Sequence, residues 1–168
     1  MLGTEQTAKA LAEKYGADVE KARFAALLHD ATKRLSMEEQ LAMCEHYHIA
    51  LDELEQHALK LLHAKTGAAA AKSIFGESDA VVSAIKYHTT GKPDMTALEK
   101  IIYLADMIEP NRTYPGVDTI REAAARDLDA GVLLALERTI AFLQEERAAV
   151  CETSIHARDW LLQARKEL

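Results

Sequence analysis

Thr96-Ala97-Leu98-Glu99-Lys100-Ile101-Ile102-Tyr103-Leu104-Ala105-Asp106-Met107-Ile108 is the stretch that decides the fold class. Thr96 and Glu99 have the spacing of a capping box, in which each side chain satisfies a backbone N–H of the other residue at a helix start. Leu98, Ile102 and Asp106 then fall on one stripe at i, i+4 and i+8, which is the period of a helix and not of a strand. Glu109-Pro110 ends it, because the residue before a proline is pushed out of helical geometry. The stripe carries one anomaly: Asp106 is an acid where a core residue is expected.

The same period recurs outward in both directions. A first helix is expected over 4–15, with Ala8, Leu11, Ala12 and Tyr15 on one face and Gly16 as its terminator. A second opens at Asp18 and carries Ala22, Ala25, Ala26 and His29 along one stripe. Ser36 with Glu39, and Asp52 with Glu55, read as capping boxes opening helices that end near Tyr47 and Leu62. Further helices are expected over 64–75, from Ser78 to about Tyr87, over 118–125, over 128–145 and from about Ser154. The segment 109–116 holds two of the chain's three prolines and reads as a loop. No segment alternates with period two, so the expectation is an all-α helical bundle forming a single domain over 1–168.

Hydrophobic residues make up 49% and charged residues 28% of the 168, a globular balance in a chain long enough to bury a core without staples. The formal charge of -7 argues against general binding of nucleic acid or an anionic membrane, both of which need a basic surface. An anionic substrate would therefore need a local cationic centre. Cys44 and Cys151 lack CxxC spacing and read as reduced thiols, not as a structural zinc site. The N-terminal residues lack the pattern of a signal peptide, and no run of about 18 apolar residues occurs. A cytoplasmic protein is expected, with neither membrane nor nucleic acid as partner.

Chemistry concentrates at Leu27-Leu28-His29-Asp30-Ala31-Thr32-Lys33. An imidazole beside a carboxylate suits a mixed nitrogen and oxygen site for a transition metal. Lys33, three residues beyond Asp30, shares its side and can bind a phosphoryl oxygen. A lone His-Asp pair reads more readily as a core histidine beside a helix C-terminal carboxylate with no special task, but the rest of the set changes that. His63 follows Leu61-Leu62, His88 ends an apolar helix, and Asp106 sits on an apolar stripe. Each is a polar group where burial is expected, and buried charges are costly unless paired or bound to metal. Taken singly, Asp106 would find a partner in Lys100 or Arg112. In Tyr87-His88-Thr89-Thr90-Gly91-Lys92, two hydroxyls and a glycine after a helix end allow a ligand close approach, or simply terminate the helix. His46, His48, His57 and His156 lie on polar faces and read as surface residues.

These residues resemble the H…HD…H…H…D pattern of the HD-domain superfamily of metal-dependent phosphohydrolases. Within it, the chain is similar to the YqeK-type group, assigned as symmetrical diadenosine tetraphosphate hydrolases. The likeness runs from Leu2-Gly3 to Ala157-Arg158 and is carried by Leu-Leu-His-Asp-Ala-Thr-Lys, Leu-Leu-His at 61 to 63, Tyr-His-Thr-Thr-Gly, residues 98–112 and Tyr-Pro-Gly-Val-Asp. It implies that His29, Asp30 and Asp106 hold one metal and that Asp30 bridges to a second held by His63 and His88. It further implies Asp30 and Lys33 as catalytic residues, with Lys33, Thr89, Thr90, Gly91, Arg112 and Arg158 binding substrate. Iron is the implied metal, as one or two ions, although the ligand set alone would also accept manganese, cobalt or zinc. Two cations about 3.5–4 Å apart would supply a nucleophile and neutralise phosphoryl charge, so cleavage of diadenosine tetraphosphate to two ADP is the implied reaction.

The chain also departs from the family. The first family histidine would fall immediately before Met1, preceded by a short helix, which leads us to expect a start at an internal methionine or a shortened chain, with natural loss as the rival. Cys151-Glu152 and Asp159 stand where the family has His-Pro and Asn. Alternatives to the implied reaction are an HD-type phosphohydrolase or phosphodiesterase acting on another nucleotide, a non-catalytic nucleotide-binding module, and a metal-bound structural protein. Self-association to a homodimer is left open.

Overall fold

The computed structural model describes residues 2–166 and is helical throughout, with no strand among those residues. Its elements are α1 (Leu2–Tyr15), α2 (Val19–Leu28), α3 (Met37–His46), α4 (Leu59–Ser73), α5 (Asp79–Lys86), α6 (Ala97–Ile108), α7 (Val117–Arg126), α8 (Leu128–Glu145) and α9 (Glu152–Ala164), with a 3-10 turn at Glu55–His57. Met1, and with it the place that the resemblance gives to a first histidine, lies outside the described residues.

α6 is the pillar of the bundle and packs against α1, α2, α5, α7 and α8. Its capping box forms as expected, with Thr96 N donating to Glu99 Oε2 at 2.7 Å and Glu99 N to Thr96 Oγ1 at 3.3 Å. Ile101, Ile102 and Leu104 are fully buried, each such side chain stabilising the fold by roughly 1.5–3 kcal/mol. α2 meets its neighbours through Ala22, Ala25 and Ala26, which have no exposed surface. Small residues on that face let the helix sink deep, and its last turn carries His29 into the interior. One continuous apolar cluster links α1, α2 and α4 to α9, while α3 lies outside it.

One expected boundary is corrected. The Asp52–Glu55 box makes both of its reciprocal bonds, Glu55 N to Asp52 Oδ1 at 2.8 Å and Asp52 N to Glu55 Oε2 at 3.0 Å. It nevertheless opens only the 3-10 turn, and α4 then runs unbroken through the expected gap at 62–64. No residue of the 3-10 turn is buried, whereas α4 buries Leu62, His63, Ala64, Thr66, Gly67, Ala68, Ala70 and Ala71. Helices in proteins are stabilised chiefly by an apolar face, so a cap without one does not propagate.

Candidate metal centre

Ends of α2, α5 and α6 and the second turn of α4 converge on one point. His29 is the C-cap of α2, Asp30 follows it, His63 lies in α4, His88 follows the C-cap of α5, and Asp106 sits in the last turn of α6. The three histidines are buried and the two carboxylates are partly covered. His29 Nε2 lies 3.4 Å from Asp30 Oδ2 and 3.5 Å from Asp106 Oδ1. Asp30 Oδ1 is 3.2 Å from His63 Nε2 and 3.8 Å from His88 Nε2, and the last two nitrogens are 3.1 Å apart.

Two of these rings have their tautomers set by the backbone. His29 Nδ1 donates to Ala26 O at 2.6 Å and His88 Nδ1 donates to Ile85 O at 2.7 Å, each the carbonyl three residues earlier. In a neutral imidazole the other nitrogen then carries a lone pair, and both Nε2 atoms face the cluster. His29 Nε2 and Asp30 Oδ1 are buried without a hydrogen-bond partner, an arrangement that costs free energy unless a further group supplies the missing interaction. Nitrogen and oxygen donors of His29, Asp30 and His88 all lie within 4.8 Å of one another. Lone pairs directed inward, a carboxylate whose two oxygens face different rings and orphaned buried acceptors together fit a divalent transition metal.

Comparison with known proteins agrees with that chemistry. The model of the HD domain matches residues 1–111. This chain belongs to the HD-domain family. It is 39% identical over 166 residues to the symmetrical bis(5'-nucleosyl)-tetraphosphatase of Bacillus subtilis (strain 168), an alignment covering 96% of this chain and 87% of the relative. It is 37% identical to the protein of the same name from Halalkalibacterium halodurans, over 98% of this chain and 88% of that one. A crystal structure described as a predicted HD superfamily hydrolase involved in NAD metabolism, from Clostridium acetobutylicum, superposes with a TM-score of 0.94 at 40% identity, covering 97% of this chain and 87% of that chain.

The HD-domain turn that follows His29 is electrostatically loaded. Burial would raise the Asp30 carboxyl, but His63, His29 and Lys33 outweigh it and hold the group well below the usual carboxylate range. Asp106 behaves likewise, its burial outweighed by His29 and Arg112. Burial, reinforced by the neighbouring His29, pushes His88 down to about 3, so its ring is neutral at physiological pH. Lys33 Nζ is 2.7 Å from Asp30 Oδ2 and half exposed. Arg112 donates from Nε to Asp106 O at 2.8 Å and from Nη2 to Asp106 Oδ1 at 2.5 Å, while Lys100 is engaged by Asp129 at 2.6 Å.

Behind the HD-domain turn lies a buried polar network that sequence reasoning missed. Thr32 Oγ1 lies 3.0 Å from His63 O, to which it donates, and 2.8 Å from Thr66 Oγ1. Thr66 Oγ1 is 3.2 Å from Gln40 Oε1, and Gln40 Nε2 donates back to Thr32 O at 3.1 Å. Gly67 packs beside the turn, where a Cβ would lie at ordinary contact distances of 3.4 Å from His29 O and 3.5 Å from Thr32 Oγ1. The network ties the turn carrying Asp30 to the backbone of His63. Gln40 and Thr66 gave little signal, because a polar residue on an amphipathic helix reads as solvated unless its partner is already known.

The remaining expected residues are distributed around this centre. Thr89 and Thr90 line an adjoining cavity of about 430 Å³ with Leu51, Leu61, Tyr87 and Cys151 among its walls, and Thr89 Oγ1 is buried without a partner. Gly91 is buried at φ 65°, and a Cβ there would meet Ala157, Met95 and Leu136 at 3.3–3.5 Å, so it lets α9 pack close to the loop. Arg158 is bound by its neighbour Asp159, at 2.8 Å from Nε and 2.7 Å from Nη2. His46, His48, His57 and His156 are all exposed.

Proposed function

We propose that this HD-domain protein is a metal-dependent hydrolase of nucleotide phosphoanhydrides that cleaves diadenosine tetraphosphate symmetrically to two ADP. The observation that carries the reading is the inward convergence of His29, Asp30, His63, His88 and Asp106, with orphaned acceptors at its centre. The substrate rests on relatives whose names state that activity. The negative charge of the whole chain makes the local cations, Lys33 and Arg112, the natural receivers of polyphosphate.

His29, Asp30 and Asp106 would hold one divalent ion and Asp30, His63 and His88 a second, with iron the metal favoured by the family resemblance. Such ions supply Lewis acidity and a nucleophile at neutral pH. The protein's own groups then divide the remaining work. Lys33 places positive charge where negative charge grows on the transferring phosphoryl group. Arg112 uses Nε and Nη2 on Asp106, and among the described residues its Nη1 makes no hydrogen bond, which leaves a donor for a non-reacting phosphate. Thr89 and Thr90 line the 430 Å³ cavity, large enough for part of a nucleotide, and the buried Thr89 hydroxyl is without a partner. Gly91 and Arg158 complete the substrate set through the resemblance. Attack of water oxygen at a central phosphorus forms one P–O bond and breaks the bridging one, releasing ADP and leaving ADP.

No helix among the described residues is long and apolar enough to cross a membrane, and the proposed site of action is the cytoplasm. Chromatography of diadenosine tetraphosphate after incubation with protein loaded with iron or manganese tests the reading. ADP as sole nucleotide product is expected. AMP with ATP would show asymmetric cleavage, and binding without turnover would make the protein a nucleotide-binding module.

A further inference from the structure

Arg121 lies on α7, outside every motif that pointed to the site. Its guanidinium reaches across the 109–116 loop and donates to Ile108 O at 3.0 Å, Glu109 O at 2.9 Å and Arg112 O at 2.9 Å, while Asp118 holds its Nη1 at 2.9 Å. Ile108 and Glu109 terminate α6, and carbonyls at a helix C-terminus have no partner within the helix. A planar fork of donors spans several of them at once in a fixed geometry, which the three donors of an ammonium, gathered on one nitrogen, do not reproduce. The third carbonyl belongs to Arg112, whose amide donates to Glu109 O at 2.9 Å and whose side chain bonds Asp106. The loop is thus a turn closed on itself, with Asn111 bonded to Glu109 Oε2 and Tyr114 Oη donating to Met107 O at 2.9 Å, and Arg121 fastens it to α7 through three of its carbonyls.

We propose that Arg121 is the positioning residue of the phosphate clamp. It fixes the Arg112 backbone, and through it the Arg112 guanidinium and the Asp106 carboxylate, at the end of α6. The inference rests on Arg112 as a phosphate ligand, the role given to it above. Arg121 hydrogen-bonds none of the five residues of the cluster, so its effect passes through the end of α6 and Arg112.

Calorimetry of ADP binding to the manganese-loaded protein tests this in wild type, Arg121→Ala, Arg121→Lys, Arg112→Ala and the Arg112→Ala/Arg121→Ala double variant, with hydrogen exchange read at the 109–113 amides. Each Arg121 variant is expected to weaken ADP binding about tenfold, the usual scale for supports behind a metal site, and to speed exchange at Asn111 and Arg112. The double variant is expected to bind no more weakly than Arg112→Ala alone. Should Arg121→Ala fail to fold, Arg121→Lys, which keeps the charge, carries the comparison. Additive losses, wild-type binding by Arg121→Lys, unchanged exchange, or a lower melting temperature with unaltered ADP affinity would each overturn the inference. A wild-type protein that binds no ADP would remove the proposed function and this inference together, whereas wild-type binding with additive losses removes the inference alone.

Discussion

Replacing Thr66 by valine keeps the shape of a fully buried side chain and deletes one hydroxyl. Thr32 retains His63 O as an acceptor at 3.0 Å, so its own hydroxyl stays satisfied. Gln40 Oε1, in a side chain with no exposed surface, loses the hydroxyl 3.2 Å away, whose single proton it shares with Thr32 Oγ1 at 2.8 Å and Leu62 O at 3.1 Å. Leaving a buried acceptor unpaired costs about 1–3 kcal/mol, and the extra buried methyl group returns less than about 1 kcal/mol. The net expectation is a loss of about 1–2 kcal/mol, read as a melting temperature lower by about 4 °C in a chain of this size. The same change loosens the link between the His29-Asp30 turn and the backbone of His63, so manganese affinity should fall about tenfold. Urea denaturation in chelator measures the first effect and calorimetric titration of manganese the second. A Thr32→Val/Thr66→Val pair should cost less than the sum of its members, because each removes the other's partner. An unchanged unfolding midpoint together with unchanged metal affinity would refute the argument that this network orients the centre.

Asp30→Ala should abolish turnover and weaken metal binding severely, whereas Lys33→Ala should mainly lower kcat, by roughly 3 kcal/mol or on the order of 100-fold; wild-type activity in metal-loaded Asp30→Ala would sink the mechanism. Glu99 is buried, but Ser83, Thr96 and Lys92 outweigh that burial and hold its carboxyl below the ordinary value. Its stabilising contribution is therefore complete above the unfolded pKa of about 4.3 and fades as pH falls through the lower folded value. Glu99→Gln should lose stability at pH 7 and show a shallower acid decline in denaturation curves taken below about pH 4.5; parallel curves would count against it. Gly116 has φ 89°, and a Cβ there would collide with the Arg138 guanidinium. That flexible head can move, so the strained backbone dominates, and Gly116→Ala should cost about 1–2 kcal/mol by chemical denaturation; a neutral result would show that the turn relaxes freely.

Much of this molecule could be read before its structure. α8 runs Leu128–Glu145, as its apolar period predicts, and the boxes at Ser36 and Thr96 both open helices, because caps backed by a buried face propagate. Asp52 and Glu55 show the limit of local reading: their bonds form, yet burial elsewhere decides where the helix begins. His29, His63, His88 and Asp106 stood out because each interrupts an apolar stripe. The supports behind them did not, since Gln40, Thr66 and Arg121 lie on separate helices and acquire meaning only through partners on other elements. Asp106 was left between Lys100 and Arg112 by spacing alone, and only tertiary packing gives Lys100 to Asp129.

The bonds from His29 Nδ1 to Ala26 O and from His88 Nδ1 to Ile85 O have a consequence for how such a centre is inherited and engineered. Many histidine ligands owe their orientation to a separate carboxylate, so that altering one residue requires retuning another. Here the orienting group is the peptide backbone one helical turn back, which no point mutation at those positions can delete. Two of the imidazoles are consequently preorganised by helix ends alone. No outer carboxylate is needed to hold these two rings, and a short helix closing on a histidine is a local unit whose ring direction travels with its own backbone.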